Sequence, residues 1–552
     1  MEKRLVVAIV LSLAVLIGYQ LLFVKPQRQA EMQAVTQAQE APKPAAPPEN
    51  PARAAGPEAK PAAPEPSPES VRAVGAQKAE DISVETSLYR AVWSNEGGVL
   101  KSWQLKKYST DAKAPLDLVA DESSELGRYP FSLDAGDPAL SQSLNSAFYE
   151  PSQKSLSLEN GQTGEVRFEY SDGKSVRAEK IIKFTGGTYG LGVEVRVWKD
   201  GREVEPSVLW GPGIGSPSSE LKLPVGASTG AAVYSGGKVY RMDQKKYKPD
   251  QSAFNFVEWA AYEENYFAAI FILPDEKGRA AFLREQGVKD QAPLYFLSVT
   301  RPEAAFIGPK AFDLLKGFGY DTRKVINFGM FGSIAEILLI SVKYFHRVVP
   351  NWGLAIILLT IVIKIIFFPL TYSSTKSMAR MAELQPKIKA LRSKYKKAKT
   401  DIAQRRQMNE EMMKLYKEHG VNPAGGCLPL LIQLPIFWGV YRMLAAAVEF
   451  HHAPFVLWIR DLSVKDPYYV TPILMGITQF ISQKMTPTSA DPSQAKMMLM
   501  MPVVMTVFFM NFQSGLVLYW LTTNVLQIGQ QAIMNRMMAR QKGESDGKRR
   551  KN

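Results

Sequence analysis

The residue under the clearest chemical tension is a lysine. Lys364 sits inside "IILLTIVIKIIFFPLT" (Ile356 to Thr371), an apolar run of membrane grade. A lysine at the centre of a span costs roughly 2.5–3.5 kcal/mol, while each Leu, Ile, Phe or Val returns about 0.3–0.6. Trp352 to Tyr372 carries enough of these to insert regardless. The charge therefore has to face water or a partner rather than lipid. Eight residues from Tyr372, it lies roughly 12 Å below that end of the span. The competing reading is a lysine that snorkels to the headgroups.

Companions favour the first reading. Thr360 is one turn from Lys364 on the same helical face. In "NPAGGCLPLLIQLPIFWGVYRML", Gln433 follows Cys427 by six residues, at a depth similar to that of Lys364. In "SGLVLYWLTTNVLQIGQQ", Trp520, Asn524, Gln527 and Gln531 recur at helical spacing along one face. A single polar stripe can be interhelical hydrogen bonding. Polar positions in three separate helices, one of them charged, are better explained by a shared hydrated cavity. No Asp or Glu lies inside the C-terminal apolar spans (Glu449 is at an edge), so a proton- or cation-coupled transporter lacks its usual carrier. The expectation is a wet, cationic groove without an ion pathway.

Other chemistry is thinly represented. All four histidines lie at or after His346, which excludes a His acid/base in the first half of the chain. None has metal-ligand spacing with another ligand type, and the adjacent His451 and His452 read as an interfacial pair, so no metal is expected. Cys427 is the only cysteine and can form no intramolecular disulfide. No Gly-x-x-x-x-Gly-Lys phosphate loop occurs, so no nucleotide is expected; no cofactor and no enzymatic activity are expected either.

The elements that must hold these residues follow from composition. Residues 1–24 read as an uncleaved N-terminal transmembrane anchor: Leu5 to Val24 is too long for a signal-peptide core and no A-x-A-like site follows. Residues 25–80, rich in Ala, Pro, Glu and Gln, cannot bury a core and read as a disordered tether. Residues 81–330 read as a water-soluble all-β domain. "VEVRVW" (Val193 to Trp198) alternates at strand period, and "VRFEYSDGKSVRAEKIIKF" reads as a hairpin turning at Asp172-Gly173. Such folds often bind sugars, but a structural or docking role is the simpler reading.

Residues 331–350 carry Glu336, Lys343 and Arg347 on one helical face, with Ile334, Leu338, Phe345 and Val349 on the apolar side. This is the pattern of an interfacial amphipathic helix. Residues 351–534 then hold five apolar spans: Trp352 to Tyr372, Cys427 to Phe450, Tyr468 to Met485, Met501 to Asn511, and Leu516 to Met534. The last two form a hairpin turning at Phe512 to Gly515. Between the first two, residues 373–425 read as a cytoplasmic helical hairpin. Leu384, Ile388, Leu391 and Tyr395 stripe its first arm, Asp401 caps the second, and Gly420 ends it. Its apolar seam, Met408, Met412 and Leu415, serves packing or hydrophobic clients.

Charge orients the chain. Of a net +14, residues 373–425 supply 13 basic against 5 acidic side chains, and the tail at 535–552 supplies 7 against 2. Together with Lys3 and Arg4, both segments belong in the cytoplasm by the positive-inside rule, which puts both termini there and the β domain outside. Six spans satisfy all three. The basic tail can touch anionic lipid or RNA.

"NWGLAIILLTIVIKIIFFPLT", "LQPKIKALR", "NPAGGCLPLLIQLPIFWGVYRML", "APFVLWIRDLSVKDPYYVTPILMGITQFISQKM" and "SGLVLYWLTTN" together resemble the YidC membrane protein insertase family of Gram-negative bacteria. The resemblance covers about Asn351 to Met534, with a looser likeness in layout before it. It implies a multi-domain membrane protein: a six-span α-helical bundle, five spans forming an insertase core, plus a periplasmic β-supersandwich. It also implies insertion and chaperoning of inner-membrane proteins, alone or with the Sec translocon. The partners it implies are nascent membrane proteins, the bilayer, and the ribosome through hairpin and tail. The hydrophilic groove of such a protein matches Lys364, Thr360, Gln433 and Trp520 here, beside Asn524 from the polar stripe. A hydrophobic client path matches Phe437, Met475 and Phe508. Two positions depart from the family pattern: Lys364 replaces a common arginine, keeping the charge but losing the fork, and Gln513 replaces a frequent proline.

Two other classes compete. A small-solute transporter would use Lys364 as substrate counter-ion, but it predicts paired repeats with broken helices, which the sequence lacks. A cell-envelope scaffold would make the β domain the working part.

Overall fold

The computed structural model describes residues 72–110, 114–215, 229–273, 278–285, 292–395, 401–421, 428–486 and 492–549. The expected anchor, most of the tether, Cys427 and the last three residues lie outside them.

Residues 81–309 form the β domain. Its strands include β1 (Asp81–Glu85), β2 (Tyr89–Ser94), β3 (Val99–Ser109), β4 (Thr163–Ser171), β5 (Val176–Thr185), β6 (Gly190–Lys199), β7 (Gly230–Ser235), β8 (Trp259–Glu263), β9 (Phe267–Ile272) and β10 (Ala304–Pro309). A ten-stranded antiparallel sheet runs through β7-β8-β9-β10-β6-β5-β4, and two five-stranded sheets complete the domain, one of them containing β3-β2-β1. The hairpin of β4 and β5 turns where the Asp-Gly signal places it. Gly173 takes φ 71°, and Asp172 Oδ1 accepts the N–H groups of Lys174, Ser175 and Val176 at 2.7, 2.9 and 3.0 Å. The sheets meet at Phe131, whose ring lies 4.9 Å from Trp93, 5.7 Å from Phe271 and 6.4 Å from Trp210.

The domain begins before the composition suggests. Val74 pairs with Ser171, and Asn95 holds Lys78 and Glu80 through its side-chain amide. The end of the expected tether is thus fastened to the sheets by backbone pairing, which composition cannot reveal.

A short helix at Phe312–Phe318 follows the β domain, and from residue 332 on the helices are α1 (Gly332–Val348), α2 (Trp352–Glu383), α3 (Gln385–Lys394), α4 (Ile402–Glu418), α5 (Leu428–Ala446), α6 (Val470–Met485), α7 (Pro492–Phe509) and α8 (Ser514–Arg549). Helix α8 packs on α2, α5 and α6, while α7 packs on α6. Gly476 allows the α6–α7 approach: a Cβ there would meet Thr506 Oγ1 at 1.9 Å. Helices α3 and α4 make the expected hairpin, with Asp401 accepting from the N–H groups of Ala403 and Gln404 and Gly420 closing the helix at φ 62°. Leu384, Ile388 and Val421 form its small core.

Helix α1 is more than an interfacial helix. Ala335, Leu338, Leu339 and Val342 are buried against α5 and α2, while Ile337, Ile340, Tyr344 and Val348 stand exposed in a second apolar stripe. Its lysine ties the 312–318 helix to the segment after α5. Lys343 Nζ lies 2.8 Å from Asp313 and 2.9 Å from Glu449. Burial works against that charge, but the two carboxylates hold its pKa above the ordinary lysine value.

The helical bundle is apolar on its outside. Ile365, Ile366 and Phe368 of α2, Ile473, Ile477 and Ile481 of α6, and Val503, Val504 and Val507 of α7 face outward. Thr360, Ser374, Thr375, Ser482, Asn524 and Gln531 are buried. An apolar exterior over an interior where polar side chains are buried among Ile356, Leu359, Leu444, Met475 and Leu516 suits a hydrocarbon solvent. Among the described residues α2 alone is long and apolar enough to cross a membrane by length and composition.

Candidate functional site

The polar side chains of the bundle converge on α8. Lys364, half-buried on α2, donates to Gln527 Oε1 at 2.9 Å. Gln433 of α5 donates to the Tyr519 hydroxyl at 2.7 Å. The Trp520 indole donates to Gln479 Oε1 of α6 at 3.2 Å. Lys364, Gln433 and Trp520 are each partly accessible. They bring α2, α5 and α6 to one helix.

Their arrangement differs from the sequence expectation in three respects. The partners of Gln433 and Lys364, Tyr519 and Gln527, lie eight residues apart on α8, about 12 Å along its axis. The contacts therefore occupy two levels rather than one depth. Thr360 is fully buried and returns its hydroxyl to Ile356 O at 2.7 Å. Asn524 is 5% exposed and ties α8 to α6 through Met475 O at 3.1 Å. These two are packing groups, since their polar atoms are spent on backbone carbonyls.

The apolar positions also divide. Phe437 packs edge-on against Trp520 at 5.1 Å and meets Phe509 at 6.1 Å, and Phe508 in turn meets Phe509 at 5.8 Å. Phe508 is half exposed, so this aromatic cluster runs from the polar wall to the outer surface. Met475 does not belong to an exposed path: it is fully buried, and its carbonyl receives Asn524. The partners Tyr519 and Gln479 were not legible in the sequence, whereas Gln527 falls in its polar stripe.

At the end of the bundle nearest the β domain, residues 447–469 are bonded to the α7–α8 turn. Ser514 N–H donates to Val464 O at 2.7 Å and Gly515 N–H to Leu462 O at 3.0 Å, pinning the α7–α8 turn. Asp466, 1% exposed, anchors this segment. It accepts from the Trp458 indole and Tyr468 N–H at 3.0 Å, Thr471 N–H at 2.8 Å and the Thr471 hydroxyl at 2.7 Å. Burial opposes its charge, but the bonds from Thr471, Tyr468 and Trp458 hold its carboxyl below the ordinary range. The β domain sits on this end: Asn265 donates to Ala445 O at 3.0 Å, and Arg442 donates to Asn327 O.

A helical bundle with an apolar exterior, a buried polar seam and a docked β domain defines an integral membrane protein of two parts. The family model described as the 60Kd inner membrane protein matches residues 344–542, and the one described as the YidC periplasmic domain matches residues 81–341. The membrane protein insertase YidC of Geobacter metallireducens is 37% identical, covering 98% of this chain and 99% of its own. That of Citrifermentans bemidjiense is 38% identical over 98% of this chain and its full length. The crystal structure of an active YidC insertase with its first transmembrane domain resolved aligns over 83% of this chain and 93% of its own, at 21% identity and a TM-score of 0.36. The chain belongs to the YidC membrane protein insertase family. That membership disfavours both the solute transporter and the scaffold.

Proposed function

We propose that the chain inserts and helps fold inner-membrane proteins through the polar seam of its helical bundle, with Lys364 as the groove's positive charge. One observation carries this reading. The Lys364 ammonium lies part-way down an apolar helix and is held by one side-chain amide of α8, the helix that also receives Gln433 and carries Trp520. A client's hydrophilic, often acidic segment enters that seam from the cytoplasm, which shortens the stretch of hydrocarbon it must cross. The adjoining apolar segment leaves past Phe437 and Phe508. Transfer of about 20 apolar residues into lipid supplies the driving force, without covalent chemistry or a nucleotide.

The rest of the proposal concerns topology and partners. Six spans with both termini in the cytoplasm put the basic hairpin and tail where a ribosome delivers the nascent chain, and the supersandwich in the periplasm. The Sec translocon is a further partner for clients with large translocated domains. A crosslinking map of an arrested client tests the route. Photoreactive residues at Gln433 and Phe508 should capture the client, and one at Met475 should not. Client adducts that avoid Gln433 would place the route elsewhere.

A further inference from the structure

We propose that His451, His452 and Asp461 form a binding site for a divalent first-row transition ion, with Zn2+ the best fit. Each offers one ligand atom, and these atoms lie within 4.8 Å of one another. His452 Nε2 is 4.0 Å from Asp461 Oδ2. The site lies at the β-domain end of the bundle, away from the groove, and does not rest on the insertion route.

The backbone explains how two adjacent residues share one site. Neighbouring side chains of an extended chain point to opposite sides. His452 instead takes φ 54°, a left-handed conformation that histidine adopts more readily than most residues. The turn folds the two rings together, with centroids 4.0 Å apart and planes inclined by 25°. Tyr266 of the β domain stacks on His451 at 4.6 Å and sets the far side of that ring.

Asp461 is oriented toward the pair. Its Oδ1 accepts both the N–H and the hydroxyl of Ser463 at 2.7 Å, while Oδ2 faces His452. Its carbonyl accepts the Ser514 hydroxyl at 2.9 Å, so the backbone is fixed to the start of α8. Such support is what a metal-bound carboxylate needs. Tetrahedral Zn2+ with bonds of about 2.0–2.1 Å requires ligand atoms about 3.3 Å apart. Imidazole lone pairs lie in the ring plane, so the stacked pair does not converge on one ion as it stands, and binding takes rotation of the exposed His452 out of the stack. Two imidazoles and a carboxylate select Zn2+, Cu2+, Ni2+ or Co2+ over Mg2+ and Ca2+. The ion would clamp the outer end of α5 to the segment that pins the α7–α8 turn.

The test uses the full-length protein, purified with a histidine-free tag, stripped of metal and titrated with ZnCl2 by calorimetry. One saturable site is expected. His452→Ala and Asp461→Asn should each weaken it at least about tenfold, whereas His346→Ala, on α1, should leave it unchanged. A readout on the unaltered protein guards against misfolded variants: the electron paramagnetic resonance spectrum of one bound Cu2+ should show two imidazole nitrogens. No saturable Zn2+ binding at millimolar concentration, binding that survives both substitutions, or a Cu2+ signal with fewer than two imidazoles would overturn the proposal. Each of those results would leave His452 and Asp461 as a simple ion pair.

Discussion

A buried lysine and a half-buried one separate the working principle of the β domain from that of the helical bundle. Lys180 of β5 is 1% exposed and donates to Gly97 O at 2.6 Å, Phe131 O at 2.8 Å and Gly98 O at 3.2 Å. An ammonium has three donors, and all three are met by backbone. Lys364 has one protein acceptor among the described residues, the movable amide of Gln527. Wired to three carbonyls, the Lys180 amine knits strands together, with all three donors available below its lowered pKa of about 7. A cation held by one side chain on an accessible polar wall can trade that partner for an arriving carboxylate. The rigid region spends its charge on itself; under the proposed function, the bundle keeps its charge for a client.

Substitution at the two sites should give opposite phenotypes, and the largest effect is expected at Lys364. For clients with acidic translocated segments, Lys364→Glu and Lys364→Leu should slow insertion at least about tenfold, at normal protein levels, while Lys364→Arg retains activity. Clients with short neutral segments should suffer less. A cysteine at Gln433, on a Cys427→Ser background, should react with a water-soluble thiol reagent from the cytoplasmic side. An unreactive cysteine in an active protein would make the seam dry and the lysine a snorkelling one. Equal losses for acidic and neutral clients would make the lysine structural, like Lys180, and the contrast would fail.

At Lys180 the effect should fall on stability and spare insertion. Lys180→Met leaves three buried carbonyls without donors, a loss on the order of 3 kcal/mol, readable as faster hydrogen exchange across β2, β4 and β5. The pH dependence has a definite sign. Burial pushes the Lys180 pKa from 10.5 down to about 7, so between those values the unfolded chain binds the extra proton. β-domain stability should therefore rise with pH through that window, by up to about 1.4 kcal/mol per unit, and Lys180→Met should abolish this slope. Stability falling with pH in the parent, or a slope unchanged in the variant, would remove Lys180 as its source.

Local signals were legible in the sequence and pairings across distance were not. The Asp172-Gly173 turn, the Asp401 cap and the α7–α8 hairpin each depend on residues within a few positions of one another. Lys364 and Gln527 are 163 residues apart, and nothing local couples them. The polar stripe of α8 was visible, but periodicity cannot distinguish a groove-facing residue from Asn524, which bonds a neighbouring helix. The same limit hid the burial of Met475 and the approach of Asp461 to the histidines. Lys180 was more accessible to reasoning. Ala178, Lys180, Ile182 and Phe184 alternate at strand period and are all buried, so the lysine sits on the inward face by the same rule that identifies the strand.

A smaller effect is expected where the two regions meet. Asp466→Asn keeps the shape of the side chain but turns an N–H2 toward existing donors, loosening the 447–469 segment by about 2 kcal/mol. Faster exchange should appear in residues 458–471 and at the start of α8, with little change elsewhere. Because the carboxyl is held below its ordinary pKa of 3.8, its contribution is complete above that value and is lost only as pH falls through the lowered one. Loosening of the segment near neutral pH would have to be attributed to another group.

The smallest effect on insertion is expected from removing most of the β domain. Every member of the polar wall, from Lys364 to Gln527, follows Asn351, so the groove should survive the loss. The cut must respect the strands. Ending a deletion at Thr300 would leave β10 without β6 and β9, exposing Ala305, Phe306 and Ile307, which are otherwise buried. A deletion of residues 81–309 removes that strand with its partners and keeps Asp313, so Lys343 retains both carboxylates. The helical core loses the Asn265 bond to Ala445 and the Tyr266 ring over His451, while the retained 310–328 segment loses Glu263 as the partner of Lys310 and the Arg241 bonds to Lys324 O and Val325 O. Both core contacts lie at the outer end of the bundle, where Asp466 and the Ser514–Val464 and Gly515–Leu462 bonds remain. Insertion of a small single-span client should then stay within about twofold of the parent, less than about 0.5 kcal/mol of barrier. A tenfold loss in a stably expressed, correctly oriented deletion would mean that the docked sheets hold the bundle in its working shape. The division between a self-contained region and a client-facing one would then be untenable.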